Sequence, residues 1–281
     1  MRLATAAMGT RFELVLPGAD ADRRPAAELA IEAIEDCHRR FSRFAPDSLV
    51  SHLARVPAGT IVPLDHDTFT LIADAVEVWR QSSGLFDPAA PSEGMDALEL
   101  DPVARTLVVR RAGLLLDLGA IAKGHALDVA GRSLREAGVD VFFLHGGTSS
   151  ALGAGAPPGE SGWRVALGSG PDAPVVSLRD RALAVSRTGH ASPHPTLDPR
   201  TGRPVRARRR VAVLGPSARL CDAWATAAAV LGSRPDAMPE TYELRSTVNR
   251  QPSAAPRSPF PFPRSPFPVP RSPSCPPAVV S

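Results

Sequence analysis

The stretch LLLDLGAIAKGHALD, residues 114 to 128, restricts what this chain can fold into more than any other. A β-rich apolar run, Leu114 to Asp117, leads into a Gly-containing turn, and about Ala122 to Ala137 has helical spacing before Gly138 stops it. Val141 to Leu144 is β-rich again. The spacing predicts strand, helix and strand in alternation, hence a chain that mixes α and β. A strand end that feeds a helix start also suits anionic ligands, because free amides and the helix dipole point at them. Gly119 and Gly124 permit close backbone approach, and Lys123 supplies a point charge suited to phosphate. The segment is not a Walker A loop, and read alone Lys123 is better taken as an ordinary surface lysine.

The rest of the body follows the same pattern. Ala27, Ala30, Ile31, Ile34, Cys37 and Phe41 recur at helical spacing, with Pro25 in the first turn and His38, Arg39 and Arg40 where the helix dipole favours cations. A second helix starts near Asp67, carries Phe69, Ile72, Ala73, Val76 and Trp79 on one side and has Gly84 past its end. Further strands are expected at Thr106 to Arg110, Trp163 to Leu167, Leu183 to Arg187 and Arg210 to Leu214, with a last helix near Leu220 to Leu231. The end of the chain differs: PRSPFPF, PRSPFPV and PRSPSCP repeat from Pro256, Pro263 and Pro270. Proline at that density opposes helix and ladder pairing, so residues 246 to 281 are expected to be a disordered tail with polyproline II character, and residues 1 to 245 the folded domain.

Charge sharpens this division. Residues 246 to 281 hold Arg250, Arg257, Arg264 and Arg271 and no acid, so without them the net charge of +3 becomes −1. The folded part is nearly neutral, and no nucleic-acid partner is expected. Arg206, Arg208, Arg209 and Arg210 form a local basic run that reads as a solvated loop. Cys37, Cys221 and Cys275 are odd in number, far apart and without metal-ligand spacing, so neither a disulfide framework nor a zinc site is expected. No apolar run approaches the roughly 18 residues a membrane span requires, and the first residues make a poor signal peptide, so the expectation is a soluble, cytoplasmic chain.

Two further segments hold hard oxygen donors or turn residues. In CDAWATAAAVLG, from Cys221, Asp222 and Thr226 are four apart on a helix and share one face, suited to magnesium together with water and phosphate. An acidic residue near a helix start beside an ordinary threonine is the alternative. HPTLDPRTGRP, from His194, reads as an extended run into a turn through Asp198, Pro199 and Gly202.

Taken in order, MGTRFE from Met8, FSRFAPDS from Phe41, GLFDP from Gly84, DLGAIAKGHALD from Asp117, HGG from His145, LDPRTGRP from Leu197 and DAWATA from Asp222 resemble the motif series of the ApbE-type flavin transferases. The resemblance implies an α+β fold with FAD held in a cleft and Mg²⁺ beside its pyrophosphate. It implies transfer of FMN from FAD to a threonine or serine hydroxyl of an acceptor flavoprotein, with release of AMP. Carried over by position, the metal ligands are the Ala120 carbonyl and the Asp222 and Thr226 side chains. FAD is expected to touch Met8, Phe44, Leu85, Phe86, Asp87, Asp117, Lys123 and Leu197, and His194 is the candidate proton acceptor beside catalytic Asp222. The chain departs from the pattern in four places. His194 is followed by Pro195 and Thr196 rather than two aliphatics, Ala225 stands where some relatives carry an acid, the stretch after Phe86 looks shortened, and the repetitive tail stands in place of closing strands. An FAD pyrophosphatase, or a flavin-binding protein without activity, are the alternative readings.

Overall fold

The computed structural model describes residues 1–18, 21–90, 94–168, 172–189 and 196–247. The chain opens on a hairpin of β1 (Arg2–Ala7) and β2 (Thr10–Val15), which the helix-and-motif reading does not anticipate. Its two-residue turn, Met8 and Gly9, has φ of 49° and 70°, the positive pair that a tight hairpin with matching twist requires. Helix α1 (Arg24–Phe41) follows with Pro25 in its first turn, then α2 (Leu49–Leu53). Next come β3 (Thr60–Pro63) and α3 (His66–Gln81), the latter started by Asp65, whose carboxylate accepts from the amides of Asp67 and Thr68. Strands β4 (Leu98–Asp101) and β5 (Thr106–Val109) join β3 in a small antiparallel sheet.

The second half builds the main sheet. Helix α4 (Ala122–Glu136) leads into β6 (Phe142–Gly146) and β7 (Ser150–Ala154), and a separate hairpin follows, β8 (Trp163–Ala166) and β9 (Val175–Leu178). Then come β10 (Arg181–Thr188), the short hairpin β11 (Leu197–Asp198) and β12 (Arg203–Pro204), β13 (Arg209–Gly215), α5 (Ala218–Leu231) and β14 (Glu243–Thr247). Seven strands form one sheet in the order β1-β2-β6-β7-β10-β13-β14, every neighbouring pair antiparallel. Alternate residues supply two cores. Phe142, Leu144, Leu152, Ala182, Ala184, Val211 and Val213 face the helices, whereas Phe143, Ala151, Leu183, Ala212 and Leu214 face the β8–β9 hairpin. Burial on both faces explains why these strands read as continuous apolar runs.

Two expectations are corrected here. Leu114 to Asp117 is extended, with Leu114 and Leu116 buried, but it joins no ladder; the Asp117 amide donates instead to the Pro88 carbonyl at 2.7 Å. The alternation is real, yet the backbone partner is a loop. The chain also keeps a closing strand, since β14 pairs with β13 from Leu214 opposite Glu243 to Arg210 opposite Thr247. Arg234 fastens the approach by donating to the carbonyls of Met238, Pro239 and Tyr242. A Cβ on Gly215 would stand 2.2 Å from the Tyr242 ring, so that glycine makes room for the tyrosine. The proline-rich repeats lie outside the described residues.

Candidate active site

The site is built where the starts of α4 and α5 meet. A Cβ on Gly124 would stand 2.1 Å from the Ala218 carbonyl oxygen, so only glycine lets the two helices approach this closely. The close approach expected of Gly124 is therefore to α5. Asp128, one turn further along α4, caps α5 from outside. Its carboxylate accepts from the amides of Ala218 at 2.8 Å and Arg219 at 3.1 Å and from the Ser217 hydroxyl at 2.7 Å. These bonds set the position of Asp222.

Asp222 is 6% exposed, and both its oxygens are held across the fold. Oδ2 accepts from the Gly124 amide at 2.6 Å and Oδ1 from the Ser150 hydroxyl at 2.8 Å. Burial pushes its carboxyl above the ordinary range, opposed by the charge of Lys123 and by these two hydrogen bonds. Because the Gly124 amide goes to Asp222, it does not reach back to the Ala120 carbonyl as it would in a longer helix, and α4 begins only at Ala122. Ala120 ends a 3-10 turn, Leu118–Ala120, that packs against α5. Thr226 donates its hydroxyl proton to the Asp222 carbonyl at 3.1 Å, which leaves the oxygen lone pairs for another partner.

The donor chemistry fits Mg²⁺. One carboxylate, one hydroxyl and one main-chain carbonyl are all hard oxygen ligands, and a small dication completes its shell with water and phosphate. Among the described residues no group of three or more His, Cys, Asp or Glu could hold a metal, so a cation here relies on Asp222 plus neutral oxygens.

A chain of contacts runs from this corner to the rim. The Lys123 ammonium donates to the Gly119 carbonyl at 2.9 Å, and the Gly119 amide donates to Asp117 Oδ1 at 3.0 Å. Asp117 Oδ2 pairs with Arg43 at 3.3 Å, and that guanidinium lies 4.7 Å from the centre of the Phe44 ring. The Asp117 amide bond to Pro88 ties the GLFDP turn to the same rim. Arg200 packs on Gly84, which brings the LDPRTGRP turn over that segment, and Asp198 holds Arg200 with bonds of 3.0 and 2.8 Å. Leu197 is exposed.

Four of the expected contacts have partners within the fold. Leu85 and Phe86 are buried in the main core, so their side chains serve packing. Asp87 is half-buried and accepts from the Ala89 amide at 2.8 Å and from the Trp79 indole, with burial raising its carboxyl. Met8 sits in the first hairpin turn, where its amide donates to His38 Nδ1 at 3.3 Å, and no described contact joins it to Asp222. His194, with Pro195, lies outside the described residues. His145 of the HGG segment is buried, with Nε2 at 3.3 Å from Glu13 and Nδ1 at 3.2 Å from the Gly147 carbonyl, so it fastens β6 to β2. Sequence reasoning missed Ser150, Asp128 and Arg43. Asp128 carried a signal, being the last residue of DLGAIAKGHALD and one helical turn after Gly124.

Fold and site together define an α+β protein with a doubly held carboxylate beside a lysine, chemistry suited to a hard cation and phosphate. The chain belongs to the ApbE family, whose pattern it matches over residues 8–93 and 90–245. It is 32% identical over 265 aligned positions to the FAD:protein FMN transferase of Rhodobacter capsulatus, covering 80% of this chain and 50% of that protein. It is 26% identical over 235 positions to the enzyme of the same name from Chlamydia trachomatis, covering 70% and 73%. The chain thus spans about half the length of the Rhodobacter relative. A crystal structure of the ApbE protein of Thermotoga maritima superposes with a TM-score of 0.73 at 24% identity, covering 83% of this chain and 87% of that one, and so shares the fold.

Proposed function

We propose that this protein is an Mg²⁺-dependent FAD:protein FMN transferase. The observation that carries the reading is the buried Asp222 carboxylate, pinned by the Gly124 amide and the Ser150 hydroxyl next to Lys123. In the reaction, the hydroxyl oxygen of an acceptor threonine or serine attacks the FMN phosphorus, the bond to AMP breaks, and the hydroxyl proton passes to a base. Asp222, Thr226 and the Ala120 carbonyl would hold the metal, which supplies charge neutralisation at the pyrophosphate. Lys123 draws phosphate to the helix start, and the bonds to Asp222 keep the carboxylate from turning as charge moves. Asp117 and Phe44 line the rim on which the rest of FAD lies. His194 is the proposed proton acceptor.

The test is mass spectrometry of an acceptor flavoprotein after incubation with the protein, FAD and Mg²⁺. An FMN adduct on threonine or serine is the expected result. FMN and AMP released at the same rate without acceptor would instead assign hydrolysis, and FAD recovered intact from both incubations would leave only binding.

A further inference from the structure

We propose that Arg43 is a nucleotide-positioning residue that makes the rim of the site tolerant of phosphate, so that FAD is preferred over flavins without it; this rests on reading the site as an FAD site. Arg43 lies just past the end of α1, and its guanidinium makes two contacts at once. It pairs with Asp117 Oδ2 at 3.3 Å and covers one face of the Phe44 ring at 4.7 Å. Phe44 is 82% exposed, so core packing does not set its rotamer. The stacked guanidinium orders the ring and leaves its other face open to a ligand ring. Asp117 Oδ1 is already taken by the Gly119 amide, so the outward part of its charge lies at Oδ2, where Arg43 sits.

The charges decide the role. An anionic pyrophosphate entering this site meets two carboxylates, Asp117 and Asp222, and one cation on the inner side, Lys123. Arg43 supplies the second cation and neutralises the rim before a metal binds. Both partners of the Arg43–Asp117 pair are about half exposed, and such pairs contribute little to folding stability. The fold therefore gains little from Arg43, whereas the candidate site uses it twice.

Flavin fluorescence titration with Mg²⁺ and no acceptor tests this, using FAD and riboflavin with wild type, Arg43→Ala and Arg43→Lys. Arg43→Ala should weaken FAD binding roughly five- to tenfold and riboflavin binding less than about twofold, with an unchanged melting temperature. Arg43→Lys keeps the charge without the planar stack and should fall between. In an Asp117→Asn background the loss caused by Arg43→Ala should shrink, because the repulsion it exposes is already gone. Equal weakening for both flavins, no weakening for FAD, or an undiminished loss in that background would overturn the role of Arg43. Wild type that binds no FAD would refute the reading of the site itself.

Discussion

Asp222→Asn separates the chemistry of the site from its architecture. In wild type, Asp222 Oδ2 must accept from an amide, whereas its Oδ1 partner is a hydroxyl, which can either donate or accept. Asparagine can keep its oxygen toward Gly124 and offer its amide to Ser150, so both hydrogen bonds survive. The change removes a buried charge that burial already disfavours. Metal-free protein should therefore keep its stability to within about 1 kcal/mol. Its pH dependence should change as well. With a raised folded-state pKa, wild type binds the Asp222 proton more readily folded than unfolded, so this group's contribution declines as pH rises through the raised value. The mutant lacks that decline. On the proposed function, what it should lose is the metal. At a Mg²⁺ concentration 100 times its dissociation constant, ligand linkage should stabilise wild type by about 2.7 kcal/mol, and the mutant should show little of this. Transfer should fall by at least about 100-fold, roughly 3 kcal/mol of transition-state stabilisation, with FAD affinity changed much less. The assays are thermal melts with and without Mg²⁺, flavin titration and FMN transfer to an acceptor. Transfer near the wild-type rate would show that Asp222 holds no catalytic metal; loss of folding in the metal-free mutant would show that its charge is structural.

Two other substitutions probe the helix corner and the core behind it. Gly124→Ala drives a methyl into the Ala218 carbonyl, a backbone atom that cannot turn aside, and should cost about 3 kcal/mol in urea unfolding; a loss below about 1 kcal/mol would mean that the two helices part easily. His125 is 2% exposed, its Nδ1 has no hydrogen-bond partner among the described residues, and burial, with Arg219 next, lowers its pKa to about 4. The unfolded chain binds this proton first, so stability contributed by neutral His125 is present above about pH 6.5 and is lost as pH falls toward 4, about 3 kcal/mol in all. His125→Leu should flatten that part of the pH profile of the urea midpoint, and an unchanged slope would refute the assignment.

The helices and the order of the motifs were legible in the sequence because both are local. Apolar residues at helical spacing mark α1, α3, α4 and α5 whatever packs against them, and Asp222 with Thr226 must share a helix face. The sheet was less legible. Runs buried on both faces do not state their partners, and Leu114 to Asp117 alternates like a strand while hydrogen-bonding to a loop. β14 shows the same limit, since its place depends on β13, on the far side of α5 in the chain, and on the room Gly215 leaves for Tyr242. The state of Asp222 likewise depends on distant partners. Gly124 is 98 positions away and Ser150 is 72, and neither residue type signals that role. Local spacing determined which groups this protein carries. Only tertiary structure decided which of their hydrogen bonds and charges meet, because those depend on burial and on neighbours that no local pattern encodes.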